Sequence, residues 1–421
     1  ADNRSVTIMI RRFLAYSVLA AASALVAHGS GPISFPGRDA ASVGIYIEDL
    51  ATGKAIADHN SAIAMTPASI LKSVTAATAL HVLGTDFRFT TDFMLIGTAP
   101  NEGKADIVIA GSGDPSMGGR DFDSSASLPS IVADELAAMG ISHIAGEVRI
   151  AGEVLPEGGG VVPGWEVEDI TESYGAGLFP VNWMDNYFES DFIIPSPGDF
   201  FSDELIAACS RKGIEIKSEY HDEESPFVEQ DTTAAIDQPV ANDTVLIYRH
   251  RSDRLEKIMD VMMEKSVNLL AEGCLRAIAP NEPPDSAIAR EKALWKSRGV
   301  SLEHTRILDG SGLARGNAIS ARQISGVLRY MAKSDAGEVY ASLFPKAGKE
   351  GTVKRLLTGT RLAGRLAVKS GSMGGVHCYA GYLLGPNGLP SHTVVVMVNN
   401  FFCNRTQLRK SIERYLLNTL P

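Results

Sequence analysis

The sequence has little that would mark a metal-binding, redox or nucleic-acid-binding protein. Its 421 residues include four cysteines, and no two of them form a C-x-x-C pair. A zinc site or a thioredoxin-like motif is therefore not expected. The net charge is −11, and no basic run is interleaved with aromatic residues. Because nucleic-acid binding depends on clustered lysine and arginine, nucleic acid is excluded as a partner.

Long hydrophobic runs are also scarce. The apolar stretch Phe13–Ala27 is shorter than the roughly 20 residues that a membrane-spanning helix needs. It follows the basic pair Arg11-Arg12 and precedes small residues, which is the pattern of an export signal; a buried helix is the alternative. We predict an export signal over residues 1–29. We therefore expect a periplasmic or otherwise extracytoplasmic, secreted protein that meets the membrane only through that transient signal.

Signatures of other hydrolase classes are missing as well. Neither an H-E-x-x-H zinc-peptidase motif nor a G-x-S-x-G nucleophile elbow occurs, so we expect neither a metal nor a cofactor. The cysteines leave two interpretations open. Cys378 and Cys403 flank a predicted hairpin and would be able to pair, or all four cysteines are buried free thiols.

The patterns that are present predict a mixed α+β fold. Alternation over Val43–Leu50 indicates a strand, and a turn leads from it to a return strand at Ala55–Ala57. Two further strands, Tyr379–Leu384 and Thr393–Val398, are joined by a Pro-Asn-Gly turn. Helical periodicity marks four more segments, which are Leu255–Met263, Val267–Ile278, Ala321–Met331 and Arg405–Leu417.

The length exceeds what one hydrophobic core of about 250 to 300 residues serves. Residues 97–242 differ from the rest, with short apolar runs such as Ile107–Ala110 and Gly146–Ile150 between glycine-rich turns. An acidic, polar stretch at Tyr220–Asp237 indicates an exposed loop. We predict an inserted α+β domain at 97–242, within a discontinuous domain of residues 30–96 and 243–421.

The first motif with chemical meaning is Ser69-x-x-Lys72. On a helix these side chains lie on one face, so the lysine can act as the base that a serine nucleophile needs. A buried lysine suits this role because burial disfavours its ammonium form. We predict a helix from a Thr66 N-cap to Leu83, with Gly84 as its stop. An isolated match equally describes a solvated helix face, but no other Ser-x-x-Lys occurs.

Two further motifs are also unique in the chain. Ser266-x-Asn268 is the only Ser-x-Asn, and a simple helix N-cap is the alternative interpretation. Lys369-Ser370-Gly371 is the only Lys-[Ser/Thr]-Gly and leads into the terminal strand pair. There it either forms an ordinary turn or lies on an edge strand beside a cleft.

The order S-x-x-K, S-x-N, K-[S/T]-G resembles that of penicillin-binding proteins and serine β-lactamases. The resemblance narrows to the D-Ala-D-Ala carboxypeptidase/endopeptidase family, the low-molecular-mass class C penicillin-binding proteins (peptidase family S13). It runs from about Val43 to the C-terminus, and nearly half of the chain separates the first two motifs, as the large insertion of that family implies. Supporting segments lie at 111–115, 163–165, 174–176, 309–313, 347–352 and 398–401.

The resemblance implies a transpeptidase-like fold and an acyl-enzyme on Ser69. Lys72 would take the serine proton, and Ser266 with Lys369 would pass a proton to the leaving amine. Asn268 would donate to the amide of the penultimate residue. The implied substrates are peptidoglycan stem peptides and their cross-links, and β-lactam antibiotics would acylate the same serine.

The third motif would receive the terminal carboxylate of the substrate. The resemblance assigns this to the hydroxyls of Ser370 and Ser372 together with Lys369, and Gly371 and Met373 complete the predicted substrate-binding strand. Backbone N–H groups of residues 69 and 372 would hold the oxyanion. The family usually has threonine where Ser370 and Ser372 stand.

Other departures concern specificity. Val267 replaces a usual aspartate, and Ala151 replaces an aspartate that helps to hold the amino end of the stem peptide, which leaves diaminopimelate recognition open. A β-lactamase of the same fold is disfavoured because Glu166 lacks the asparagine of an E-x-x-x-N loop, with Ile170 in its place. A non-catalytic β-lactam sensor or wall-binding protein would have no need of a nucleophile with its base.

Overall fold

The structure is a computed structural model that describes residues 33–97, 105–123, 127–152, 160–188, 191–216, 244–280 and 282–421. The predicted export signal and the predicted acidic loop lie outside these residues. Within them, no helix is long and apolar enough to cross a membrane.

The described residues form thirteen strands, which are numbered in chain order. They are β1 Ser42–Asp49, β2 Ala55–His59, β3 Ala64–Met65, β4 Thr90–Gly97, β5 Ala105–Ala110, β6 His143–Ile144, β7 Val148–Ala151, β8 Glu215–Ile216, β9 Thr244–Arg251, β10 Ile319–Ser320, β11 Leu366–Met373, β12 Val376–Leu384 and β13 Pro390–Asn399.

The α-helices of the described residues are numbered in the same way. They are α1 Lys72–Leu83, α2 Leu128–Ala138, α3 Pro197–Arg211, α4 Leu255–Lys265, α5 Asn268–Arg276, α6 Pro284–Ser297, α7 Ala321–Ala332, α8 Gly337–Ser342 and α9 Arg405–Thr419. Short 3-10 helices lie at Arg38–Ala40, Ala68–Leu71, Ser173–Gly175, Met184–Asn186 and Gly351–Val353.

A five-stranded antiparallel sheet joins the two ends of the described chain. Its order is β11-β12-β13-β1-β2, and Ser42 of β1 pairs with Asn399 of β13. Apolar side chains cover both faces of this sheet. One face packs on α1, α4, α5 and α7, and the other packs on α9. Strand β11, which carries the third motif, therefore lies at an edge of the sheet, as the sequence predicts.

A second sheet has the order β7-β5-β4-β9 and a hydrophobic core of its own with α2 and α3. It begins at Thr90 and ends at Arg251, so its first and last strands along the chain, β4 and β9, extend beyond the predicted boundaries of the insertion. Phe93 and Phe201 are fully buried there, and their ring centroids are 5.6 Å apart.

Most predicted elements coincide with observed ones to within a few residues. One local prediction is wrong: Thr66 does not cap the helix that carries Ser69. Its hydroxyl donates to the carbonyl of Arg315 at 3.4 Å, and a 3-10 turn at Ala68–Leu71 precedes α1. The cysteines are free thiols among the described residues, so the pairing of Cys378 with Cys403 is not observed.

Candidate active site

A strained turn presents the side chain of Ser69. The preceding residue, Ala68, has φ +49°, a left-handed conformation that a residue with a Cβ rarely adopts. Gly312 packs against it so closely that a Cβ there would lie 2.1 Å from the Ala68 carbonyl oxygen. Such strain persists only where the surrounding structure fixes it, and it is often found at functional sites.

The ammonium of Lys72 is buried beside this serine. Its Nζ donates to Ser69 Oγ at 3.0 Å, to Asn268 Oδ1 at 2.6 Å and to the carbonyl oxygen of Ser311 at 2.8 Å. The side chain is fully buried, and burial lowers its pKa to about 8, although two carboxylates oppose that change. A lysine with this pKa has an appreciable neutral fraction near pH 7 and can accept a proton from the serine.

The two opposing carboxylates belong to Asp309 and Glu272. Glu272 accepts hydrogen bonds from the backbone N–H groups of Gly310 at 3.0 Å and Ser311 at 2.8 Å. Burial, together with the charge of Asp309, raises the pKa of Glu272 to about 7. Asp309 accepts hydrogen bonds at the other end of the same loop, including one from the Ala314 N–H at 2.7 Å. The loop that offers its carbonyl to Lys72 is thus held by two buried carboxylates.

Ser266 lies across the cleft from Ser69, in the link between α4 and α5. Its φ is +66°, and Val267, not Ser266, occupies the N-cap of α5. The simple N-cap interpretation of Ser266 is therefore wrong. Its hydroxyl accepts a hydrogen bond from Lys369 Nζ at 2.8 Å, and the same ammonium donates to the Ser370 carbonyl at 2.9 Å.

Lys369 is as buried as Lys72, but the causes of its pKa shift act in one direction. Burial lowers its pKa well below the usual value, and the charge of Lys72 lowers it further. Asn268 joins Lys72 to a different segment: its Oδ1 accepts from Lys72, and its side-chain amide donates to the carbonyl of Tyr174 at 2.8 Å.

The edge strand β11 lies directly against the turn that presents the serine. At Gly371 a Cβ would lie 2.6 Å from the Pro67 carbonyl oxygen and 3.0 Å from the Ser69 nitrogen. Only glycine allows this approach, because any side chain would displace the strand from the nucleophile. The K-[S/T]-G spacing therefore has a steric reason here.

A hydrogen-bonded chain continues from β11 to β12. Ser372 pairs with His377 across the hairpin, and Ser372 Oγ lies 3.3 Å from His377 Nδ1. The other ring nitrogen lies 2.9 Å from the Tyr379 hydroxyl. Burial, together with the charges of Arg405 and Arg409, lowers the pKa of His377 to about 4, so the ring is neutral at pH 7.

The residues predicted from the motifs converge on one cleft of about 370 Å³. Lys72 and Lys369 lie behind its wall, within hydrogen-bonding distance of its serines. Met373 is an exception: it ends β11 and packs partly against the core, and its carbonyl accepts from Arg405. The described residues lining the cleft are Ser69, Ser266, Thr352, Arg355, Leu356, Ser370, Ser372, His377, Tyr379, Arg405, Thr406 and Arg409.

Some site residues escaped the sequence interpretation. Glu272 stands four positions after Asn268 on α5, a spacing that places both on one helix face, so that signal was available. His377 follows Ser372 across a two-glycine hairpin and faces it directly. No sequence motif around the arginines of the cleft indicated that they belong to the site. Among the described residues, no group of three His, Cys, Asp or Glu side chains is arranged to hold a metal ion.

The sequence matches the D-Ala-D-Ala carboxypeptidase 3 (S13) family over residues 36–226 and 227–416. The chain belongs to this family. The predicted family, the enzyme class and the serine carboxypeptidase activity are thereby confirmed. The chain is 22% identical to the D-alanyl-D-alanine carboxypeptidase of Actinomadura sp. (strain R39), over 86% of this chain and 78% of that protein. It is 24% identical to D-alanyl-D-alanine carboxypeptidase DacB of Haemophilus influenzae, over 83% and 84%.

Solved structures share the predicted fold. Penicillin-binding protein 4 of H. influenzae matches 91% of this chain and 97% of its own, with a TM-score of 0.76 and 21% identity. A predatory endopeptidase of Bdellovibrio bacteriovorus, acylated by penicillin G and bound to an immunity protein, matches 90% of this chain and 91% of its own. Its TM-score is 0.52 at 19% identity. The penicillin-binding-protein fold predicted from the three motifs is therefore confirmed.

Proposed function

We propose that this carboxypeptidase cleaves the D-Ala-D-Ala bond of peptidoglycan stem peptides, and the equivalent bond of cross-links, through an acyl-enzyme on Ser69. One observation carries the residue assignment. Lys72 Nζ lies 3.0 Å from Ser69 Oγ. The lysine side chain is fully buried, and its pKa is lowered to about 8. A base of near-neutral pKa within hydrogen-bonding distance is what an unactivated serine requires.

In the acylation step, neutral Lys72 accepts the Ser69 proton while Ser69 Oγ bonds to the carbonyl carbon. The tetrahedral oxyanion forms close to the backbone of the turn, where N–H groups of residues 69 and 372 are the proposed donors. As the C–N bond breaks, the leaving amine needs a proton. Ser266, hydrogen-bonded to Lys369 at 2.8 Å, is the proposed route for it.

Substrate orientation falls to residues around the nucleophile. Asn268 is held between Lys72 and the Tyr174 carbonyl, and it is the proposed contact for the penultimate amide. Ser370 and Ser372 line the cleft on the leaving-group side, where they are the proposed receivers of the terminal carboxylate. Water then hydrolyses the ester. A β-lactam leaves slowly because its cleaved amide stays attached to the acyl group.

Two further proposals concern the whole chain. Residues 97–242 belong to an inserted unit. The separate core of the second sheet supports such a unit, and that core also includes Phe93, Leu95 and Ile247 from the strands on either side. The protein works outside the cytoplasm. The apolar run after Arg11-Arg12 supports this location, as does the peptidoglycan that the proposed reaction requires as substrate.

The decisive test is the intact mass after exposure to penicillin. We expect one penicilloyl adduct on the wild type and none on Ser69→Ala. Ser342→Ala, which changes an exposed serine of α8 outside the cleft, is the matched control and should keep the adduct. Release of a D-alanine from an acyl-D-Ala-D-Ala peptide then establishes the peptidase.

Other outcomes would change the assignment. An adduct that persists in Ser69→Ala would place the nucleophile elsewhere. Rapid penicillin hydrolysis without peptide cleavage would favour the β-lactamase. A stable adduct without any turnover of peptide would favour a β-lactam sensor.

A further inference from the structure

Three arginines line the cleft that holds the nucleophile. Arg355 precedes the edge strand β11, and Arg405 and Arg409 lie on α9. They share the cleft wall with Ser370 and Ser372. Among the described residues, no Asp or Glu lines this cleft. The wall of the cleft therefore carries strong positive charge.

Protein carboxylates balance little of this charge. Within the described ranges Arg355 forms no ion pair, and neither does Arg405, which donates to the neutral carbonyl of Met373 at 2.9 Å. Arg409 lies 3.7 Å from a carboxylate oxygen of Glu413, and the same oxygen accepts from the Leu357 N–H at 2.9 Å. At most one of the three cations has a charged partner.

The arginines lie close to the proposed position of the leaving group. His377 contacts Ser372, and Arg405 and Arg409 both lower its pKa. Ser370 and Ser372 together are the proposed receivers of the carboxylate beside the scissile amide. The arginines thus extend the carboxylate-binding wall beyond what one D-alanine requires.

The position of Arg405 is unfavourable for the helix itself. It is the first residue of α9, and the positive end of the helix dipole disfavours a cation in the first turn. A side chain that costs stability where it stands, and that faces the cleft, is more readily explained by binding than by folding.

We propose that Arg355, Arg405 and Arg409 form a subsite for a carboxylate that the leaving group carries in addition to the one beside the scissile amide. The inference rests on the proposed function, since it concerns the group that this acyl transfer releases. Its substrate class is an acidic leaving group, such as an acidic peptide strand freed from a cross-link. A single D-alanine leaves the subsite empty.

The test compares two isosteric substrates, acyl-D-Ala-D-Glu and acyl-D-Ala-D-Gln, with the full chain at low ionic strength. We expect kcat/KM to favour the glutamate substrate by on the order of tenfold, as charge-assisted hydrogen bonds to guanidinium groups allow. The ratio should fall by about threefold in Arg355→Gln and further in Arg355→Glu. It should also fall with added salt, because screening shortens the reach of the charges.

The substrate ratio is internal to each variant, so a general loss of activity cancels. Arg211→Gln removes an exposed arginine of α3 outside the cleft lining and should keep the wild-type ratio. A wild-type ratio near one, with acyl-D-Ala-D-Ala still cleaved, would overturn the subsite and leave the proposed function standing. The wild-type preference persisting unchanged in both Arg355 variants would also overturn it. Failure to cleave any of the peptides would overturn both proposals.

Discussion

The two buried lysines of the active site lie in opposite electrostatic surroundings. Behind Lys72 are the carboxylates of Glu272 and Asp309, which raise its pKa against the effect of burial. Lys369 has Lys72 as its charged neighbour, so burial and charge both lower its pKa. Both side chains are fully buried, and each donates to a serine of the cleft.

The difference explains how one cleft holds two lysines with different tasks. The pKa of Lys72, at about 8, stays close to neutral pH, which suits a base that gains and loses a proton in each cycle. At Lys369, burial and the charge of Lys72 both disfavour the ammonium form. The ammonium forms of the two lysines are therefore stabilised to different extents.

The largest expected effect is on the rate of penicillin acylation when each lysine in turn is replaced by methionine. Lys72→Met should lower the rate constant of penicillin acylation by about 10³-fold or more, because Ser69 loses its base. Lys369→Met should lower it by about 10²-fold, since it removes a proton route and a carboxylate contact. Acylation rates measured by mass spectrometry give both values.

Lys257→Met serves as the control, because Lys257 is an exposed lysine of α4 and is expected to acylate at the wild-type rate. Equal losses of acylation rate in the two active-site variants would mean that Lys72 and Lys369 do not have the different roles described.

The free energy of unfolding should change in opposite directions in the same two variants. Lys72→Met leaves Glu272 and Asp309 without their nearby cation and Asn268 Oδ1 without its donor. We expect a loss of about 2 kcal/mol in the free energy of unfolding. Lys369→Met replaces a buried amine, whose charged form both burial and Lys72 disfavour, with an apolar side chain, and should gain about 1 kcal/mol. Urea unfolding at pH 7 measures both; a loss in each variant would refute the contrast.

Sequence patterns predicted the fold where local signals were strong. Alternation over Val43–Leu50 and the apolar run Thr393–Val398 located two strands of the central sheet, and unique motifs located the serines and lysines. Residue type and spacing were sufficient there because the chemistry needs those side chains. The edge position of Lys369 followed from the same patterns.

The remainder of the site depends on packing between distant segments. The left-handed conformations of Ala68 and Ser266 are imposed by neighbours and leave no mark in residue type. Arg355 and Arg409 come from separate elements that meet only in the folded chain. Thr66 fits the pattern of an N-cap, yet its hydroxyl bonds a carbonyl that is distant in sequence. Tertiary structure overrode local preference at each of these positions.

The smallest expected effect is a shift in the pH dependence of acylation, which shows whether the carboxylates near Lys72 influence its pKa. Lys72 must be neutral to accept a proton, so the acylation rate rises with pH through its pKa of about 8. Glu272, with a pKa near 7, is mostly ionised at that pH and favours the ammonium. Glu272→Gln should therefore shift the rising limb to lower pH by up to about one unit.

Glu291 provides the matched control for this shift. It is also fully buried, and burial raises its pKa to about 7, but it accepts from Thr78 and does not contribute to the pKa of Lys72. Glu291→Gln should leave the limb in place even if it changes stability. The limb cannot belong to His377, whose pKa lies at about 4. An unmoved limb in Glu272→Gln would mean that Glu272 does not help to set the pKa of the base, and the contrast between the two lysines would then rest on Asp309 alone.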